Sequence, residues 1–143
     1  MPSPLINRLV DELDYPLLDA TNFEDFISNQ HYSVLFCTEQ PKRFPESNDV
    51  AVILPELVSA FPQLKPAVVA VEFEKTVQGR YNFNVWPSLV FLKDGRFLGT
   101  ISKVQDWDVY RAEIQSILAL EPRRDPGIGI PVVMNPTSTS CGQ

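Results

Sequence analysis

The side chains best suited to redox or metal chemistry are few and far apart in this sequence. Cys37 and Cys141 do not form a Cys-x-x-Cys motif, and dithiol exchange needs an attacking thiolate with a second thiol nearby to resolve the mixed disulfide. One histidine, His31, and two cysteines cannot supply the usual four ligands of a structural zinc site. No Ser/His/Asp set, phosphate-binding loop or pair of carboxylates at a catalytic spacing stands out. The sequence therefore predicts no catalytic residues, no metal and no cofactor.

Two interpretations of Cys37 stay open. The residue closes the apolar run 33–37 on the strand side of a polar loop, where no helix N-terminus lowers the pKa of its thiol. This position favours a buried, structural cysteine. The alternative is a monothiol oxidoreductase that uses Cys37, with Cys141 brought to it by the C-terminal segment.

The net charge of −6 is concentrated near the N-terminus. Residues 1–40 carry seven acidic side chains and one arginine, whereas residues 41–143 carry equal numbers of acidic and basic ones. An acidic chain is poorly suited to nucleic acid, whose binding depends on lysines and arginines at phosphates. No apolar run approaches the roughly 20 residues that span a bilayer, and the N-terminus lacks the basic and apolar regions of a secretory signal. We expect a cytoplasmic protein without nucleic-acid binding or direct membrane insertion.

Hydrophobic patterning predicts the elements that must position these residues. Five apolar segments have the length and composition of strands: 15–18, 33–37, 66–74, 89–93 and 96–101. Helices are predicted at 5–13, in a segment opened by a capping box at Thr21 and Glu24, and at 50–61, 75–83 (a short helix or turn) and 106–120. Asn48 or Asp49 is expected to cap the helix at 50–61, which Pro55 interrupts.

The order of these elements indicates an α/β sandwich. Alternating strands and helices come first, followed by a hairpin with Asp94-Gly95 at its turn and a final helix, which together build a mixed central sheet. Residues 1–120 form the predicted domain. The segment 121–143 holds four prolines and three glycines and is predicted to be a flexible tail.

Trp86 and Pro87 precede the predicted strand 89–93. A proline that follows a bulky residue at the entrance of a buried strand suits a tight turn, in which the peptide bond can be cis. Such a turn would leave backbone groups of Trp86 available to an extended peptide. The alternative is that Trp86 simply closes the end of the core.

Over residues 15–120 the sequence resembles the thioredoxin fold. The strand ending at Cys37, the helix containing Pro55 and the loop with Trp86 and Pro87 match the buried strand, the kinked helix and the cis-proline loop of thioredoxins. The resemblance implies a three-layer α/β/α sandwich with a mixed central sheet. The segment 38–49 stands where thioredoxins carry Cys-x-x-Cys, but it contains no cysteine and is several residues longer.

The segment 40–62 more specifically resembles the HyaE/HupG family of accessory proteins for nickel–iron hydrogenase maturation. The matching residues are, in order, Pro41-Lys42-Arg43, Pro45-Glu46, Asp49, Glu56-Leu57 and Phe61-Pro62. In that family a Pro-Lys-Arg-x-Pro-Glu type of motif replaces Cys-x-x-Cys. The resemblance implies a non-enzymatic chaperone that holds the precursor of the small, iron–sulfur subunit, with its twin-arginine signal peptide, before export. It also implies contacts with other hydrogenase accessory proteins.

The resemblance suggests where such a client would bind. Asp11, Glu12 and Asp14 would attract the paired arginines, because carboxylate–guanidinium pairs are strong and directional. A groove for the apolar part of the peptide is expected at Trp86 and Phe44. The alternative for the three acidic residues is a solvated surface with no partner.

The remaining binding candidates belong to the loop motif and the proline turn. Backbone at Pro87 would add strand-like pairing with the peptide. Lys42 and Arg43 have the wrong sign for arginines, so they would meet another surface, such as acidic patches of the small subunit, or remain solvated. Glu46 of the same motif is a further candidate for partner binding. Phe44 could instead pack beneath its own loop. Two other functions stay open: the monothiol oxidoreductase, and a scaffold subunit of a maturation complex that recognises a folded protein.

Overall fold

A mixed sheet of five strands occupies the centre of the computed structural model, which describes residues 4–38 and 46–122. The strands are β1 (Leu17–Leu18), β2 (Tyr32–Cys37), β3 (Leu64–Val69), β4 (Ser88–Lys93) and β5 (Arg96–Ser102). Their spatial order is β1-β3-β2-β4-β5. β1, β3 and β2 run parallel, whereas β4 pairs antiparallel with both β2 and β5. The mixed sheet expected from the sequence is therefore confirmed.

Helices cover both faces of this sheet. In the described part of the chain they are α1 (Pro4–Asp11), α2 (Phe23–Asn29), α3 (Glu46–Ala60), α4 (Glu74–Tyr81) and α5 (Trp107–Leu118), with a short 3₁₀ turn at Val71–Phe73. α1, α3 and α5 pack on one face, and α2 and α4 pack on the other. Side chains along β2 alternate between the two faces of the sheet and so contribute to both cores. Val34 and Phe36 point to one face, and Leu35 and Cys37 point to the other. The result is a three-layer α/β/α sandwich.

The predicted capping box at Thr21 and Glu24 is wrong. Asn22 precedes the first turn of α2 and makes no side-chain capping bond, while the Thr21 hydroxyl donates to the Asp19 carboxylate at 2.6 Å. The Glu24 carboxylate accepts a hydrogen bond from Arg80 of α4, also at 2.6 Å. Both side chains are thus drawn to charged partners, which form stronger hydrogen bonds than a neutral backbone amide does.

Two predicted boundaries also differ from the structure. β3 ends at Val69, not at residue 74, because its neighbours end beside it: Leu18 of β1 is the partner of Val69, and Phe36 of β2 is the partner of Val68. A longer β3 would have no ladder to satisfy its backbone groups. α3 begins at Glu46, so Asn48 and Asp49 lie in its first turns and do not cap it.

Candidate functional site

The two ends of β2 define two separate regions of the molecule. At one end Cys37 is paired with Ser88, next to Pro87; at the other Tyr32 is paired with Leu64 and Lys93. We call these regions the Pro87 end and the Leu64 end. Five residue steps along a strand separate them by about 17 Å. The candidate binding residues are divided between the two ends.

The proline turn has the form expected from the sequence at the Pro87 end. The Trp86–Pro87 peptide bond is cis, and Pro87 is buried. Its carbonyl accepts a hydrogen bond from the Lys103 amide at 2.7 Å, and the Ser88 hydroxyl donates to the Val85 carbonyl. The Pro87 carbonyl is therefore engaged within the chain.

A buried carboxylate, which the sequence-based predictions did not include, organises this end. Glu74 is only 3% exposed, and its Oε2 accepts a hydrogen bond from the Thr38 amide at 2.7 Å. Its Oε1 accepts one from the Trp86 indole nitrogen at 3.1 Å. Glu74 thereby joins the end of β2, the start of α4 and the cis-proline loop. No local sequence signal identifies it, because Glu72 and Glu74 both interrupt the apolar run 66–74 and only Glu74 is buried.

The Trp86 side chain lies at the end of one of the two cores. It is half-buried against the α2 and α4 core, with its ring in edge contact with Phe83 at a centroid distance of 5.4 Å. Its polar edge is fixed by the bond to Glu74. Trp86 therefore closes one end of the core and keeps part of its surface exposed.

Cys37 is completely buried under this cluster. Burial raises the pKa of its thiol well above the ordinary value, and the nearby Glu74 carboxylate raises the pKa further. The protonated, inaccessible thiol is the unreactive form of cysteine. Cys141 lies outside the described residues.

Residues before and after the loop motif lie at the same end. Lys42, Arg43 and Phe44 lie outside the described residues, but the residues on either side of the loop are in contact: the Ser47 hydroxyl donates to the Thr38 carbonyl at 2.7 Å. Glu46 is exposed in the first turn of α3, where its Oε1 accepts from the Val104 amide at 3.4 Å.

The acidic candidates lie at the Leu64 end instead. Asp11 ends α1, Glu12 and Asp14 follow it, and all three are exposed. Glu12 lies 3.9 Å from Arg8 one turn earlier on α1, so its charge is partly offset. Asp14 has φ of 58°, a left-handed conformation that aspartate and asparagine tolerate better than most residues.

A cleft of about 350 Å³ opens beside these acidic residues. Leu13 and Asp14 line it together with Leu64 and Lys65 at the start of β3, which places it at the Leu64 end. Most of its other lining residues are apolar. The structure thus brings Asp14 next to an apolar cleft, but it does not bring the acidic residues next to Trp86 and Pro87.

Across residues 4–38 and 46–122, no three His, Cys, Asp or Glu side chains are grouped so as to hold a metal ion. Within the same ranges, no helix combines the length and apolarity needed to cross a bilayer.

Comparison with known proteins links the chain to hydrogenase assembly. A family model described as "Hydrogenase-1 expression protein HyaE" matches residues 5–110. The hydrogenase expression/formation protein HoxO of Azotobacter vinelandii is 54% identical over 130 residues, which cover 91% of this chain and 88% of that protein. A crystal structure of a putative hydrogenase expression/formation protein, HupG of Rhodopseudomonas palustris, is 43% identical with a TM-score of 0.53 and covers 73% of this chain and 95% of its own.

Comparison of structures also identifies the fold. Mitochondrial thioredoxin 3 of Saccharomyces cerevisiae superimposes with a TM-score of 0.58 over 76% of this chain and 97% of its own, at 19% identity. At that identity the likeness concerns the fold alone. The thioredoxin-like fold predicted from the sequence is confirmed.

Proposed function

Because this chain belongs to the HyaE family of hydrogenase expression proteins, we propose that it is a non-enzymatic maturation chaperone for a nickel–iron hydrogenase. Its client is the precursor of the small, iron–sulfur subunit, which it holds by the twin-arginine signal peptide in the cytoplasm before export. The observation that carries this proposal is the set of exposed carboxylates Asp11, Glu12 and Asp14 next to an apolar cleft. A peptide with paired arginines and an apolar segment has the complementary chemistry.

A role without redox catalysis is supported by the state of Cys37. In thioredoxins the reactive thiols follow the strand that corresponds to β2, whereas here the thiol within that strand is buried and its pKa is raised. A thiolate is the attacking species in disulfide exchange, so this thiol is poorly placed for it.

The Pro87 end supplies a second binding surface in this proposal. Lys42, Arg43, Phe44, Glu46 and Trp86 would contact the body of the small subunit or other hydrogenase accessory proteins, and the buried Pro87 would shape the loop that carries Trp86. Lys42 and Arg43 suit acidic patches on such a partner.

Calorimetric titration of the full chain with three ligands tests the proposal: the small-subunit precursor, the same subunit without its signal peptide, and a synthetic signal peptide. We expect the precursor and the free peptide to bind. Replacing the paired arginines by lysines should weaken peptide binding about tenfold, because lysine cannot form the bidentate pair.

Absence of binding to all three ligands would overturn the proposal. Equal affinity for the subunit with and without its signal peptide would contradict the peptide-holding role and would favour a scaffold that recognises the folded subunit.

A further inference from the structure

The cleft at the Leu64 end has the size and lining of a binding site for apolar side chains. Its volume of about 350 Å³ falls in the range of natural ligand sites. It opens between the α1–β1 connection, α2, the end of α3 and the start of β3. Its apolar lining includes Leu13, Tyr15, Phe26, Val58, Pro62 and Pro66.

The cleft is lined by one acidic and one basic side chain, and an exposed acidic segment precedes it in the chain. Asp14 forms part of its wall, and Asp11 and Glu12 are exposed just before it in the chain. Lys65 is the one basic residue among the residues that line the cleft, and Arg8 is already engaged with Glu12. The cleft therefore combines an apolar lining and the oppositely charged Asp14 and Lys65 with an acidic rim, Asp11, Glu12 and Asp14, of which only Asp14 lines the cleft itself.

The backbone of β3 limits how a peptide can bind here. β1 pairs only with Val68 and Val69, so the first half of β3 has no strand partner on that side among the described residues. The Val68 amide donates a hydrogen bond to the Pro16 carbonyl, on the β1 side of β3. Because alternate residues of a strand direct their backbone groups to the same side, the backbone groups of Leu64 and Pro66 also face that side. The Leu64 amide is bonded to the Phe61 carbonyl, and Pro66 has no amide hydrogen. A peptide would thus be recognised by its side chains and not by strand addition.

We propose that this cleft receives the apolar segment of the client's signal peptide, while Asp11, Glu12 and Asp14 hold its paired arginines. The proposal rests on the proposed function and moves the apolar subsite away from Trp86. At the Pro87 end the Trp86 side chain is held by Glu74 and Phe83, whereas Leu13 at the cleft is 36% exposed. At the Leu64 end an apolar cleft and the exposed carboxylate of Asp14 adjoin.

Matched variants of exposed residues test the apolar subsite against the synthetic signal peptide. Leu13→Ser should weaken binding about fivefold, because a partly exposed leucine loses its contact with the peptide. Leu120→Ser, at a leucine that is 43% exposed after α5, should leave the affinity unchanged. Lys65→Ala should tighten binding about threefold by removing a repelling charge, a gain that misfolding cannot produce.

Neutralising variants test the acidic rim. The triple change Asp11→Asn, Glu12→Gln and Asp14→Asn should weaken binding about tenfold at low ionic strength, and the loss should shrink as salt screens the charges. Asparagine at position 14 keeps the left-handed backbone accessible. The control triple, Asp94→Asn, Asp106→Asn and Asp108→Asn, removes the same charge from residues that do not line the cleft and should leave the affinity unchanged.

The outcomes separate the two proposals. If the native chain does not bind the signal peptide, the proposed function fails. If the native chain binds it but Leu13→Ser and Lys65→Ala behave like Leu120→Ser, the cleft is not the subsite and the proposed function stands. Equal effects of the two acidic triples would show that net charge alone, and not the rim, attracts the peptide.

Discussion

At the scale of single residues, Glu74 and Cys37 together explain the chemistry of the Pro87 end. The Glu74 carboxylate satisfies the Thr38 amide and the Trp86 indole, so its removal would leave two donors of the cluster without this acceptor. The same negative charge, added to complete burial, disfavours ionisation of Cys37.

The raised pKa of Cys37 predicts a loss of stability in alkaline solution. Above about pH 8.5 an unfolded cysteine releases its proton, whereas the folded chain keeps the Cys37 thiol protonated, so unfolding becomes more favourable as pH rises. Between pH 7.5 and 9.5 the free energy of unfolding should fall by about 1.4 kcal/mol more in the native chain than in Cys37→Ala. Urea denaturation at each pH measures this difference.

Chemical modification provides the matching control. In a Cys141→Ser background, the folded chain should not react with iodoacetamide at pH 8, and the urea-unfolded chain should react fully. Rapid alkylation of the folded form, or identical pH profiles of the two chains, would contradict a buried thiol and would support the monothiol oxidoreductase.

The sequence predicted Cys37 better than Glu74 for a physical reason. Cys37 ends a continuous apolar run, and such a run is itself the signal of burial. Glu74 is buried because two donors that lie 36 and 12 positions away in the chain converge on it. Local composition contains no trace of that convergence, so a charged side chain at that position would be expected at the surface.

At the scale of elements, the β4–β5 hairpin has the turn that its Asp94-Gly95 sequence predicted. Asp94 and Gly95 have φ of 53° and 79°, the two positive values that a tight two-residue hairpin turn requires. The turn is fastened to the start of β2, since the Asp94 amide donates to the His31 carbonyl at 2.7 Å and the two side chains meet at 2.9 Å.

Two glycine substitutions should have opposite effects on stability. Gly95→Ala should lower the free energy of unfolding by about 1–2 kcal/mol, because a Cβ would adopt positive φ and meet the Ile27 carbonyl oxygen at 3.2 Å. Gly79→Ala, in α4 with no atom within 4 Å of the added Cβ, should raise it by about 0.5–1 kcal/mol. Chemical denaturation of both variants measures the contrast, and a stabilising Gly95→Ala would contradict the turn geometry.

The type of each helix and strand was predictable from the hydrophobic periodicity of the sequence, but contacts with neighbouring parts of the structure determined where the elements begin and end. The segment at 66–74 reads as one strand, yet β3 ends where Leu18 and Phe36 stop pairing with it. The motif at Thr21 and Glu24 reads as a cap, yet Asp19 and Arg80 attract its side chains. In both cases the residue that determines the outcome lies on another element or in a preceding turn, so a short sequence motif does not include it.

At the scale of the whole molecule, the described fold is complete before the last segment of the chain. The five strands and five α-helices lie between Pro4 and Leu118, and both core clusters consist of residues within that range. The predicted division into a domain at 1–120 and a tail at 121–143 stays a prediction.

Ending the chain after Leu120 should therefore change the thermal midpoint by less than about 2 °C, since no described core contact is removed. Circular dichroism of the shortened and full chains measures the midpoints, and titration with the signal peptide should give equal affinities. A drop of about 5 °C or more would mean that the segment packs on the domain.

The candidate site was predictable in its parts but not in its arrangement. The acidic segment and the proline turn were both identified from the sequence, because charge and Trp86-Pro87 are local signals. Their separation to opposite ends of β2 depends on β1 pairing with β3 near Val68, which sets where the α1–β1 connection lies. Such a register is a property of the assembled sheet.

Pro66, which lines the cleft, also affects whether copies of this protein associate with one another. A sheet edge with free amide donors can template a strand from a neighbouring copy, which is a common first step of aggregation. Along the half of β3 that lacks a strand partner among the described residues on this side, Pro66 has no amide donor and the Leu64 amide is already bonded. This edge can remain open to side chains of a client at high protein concentration and still resist self-association.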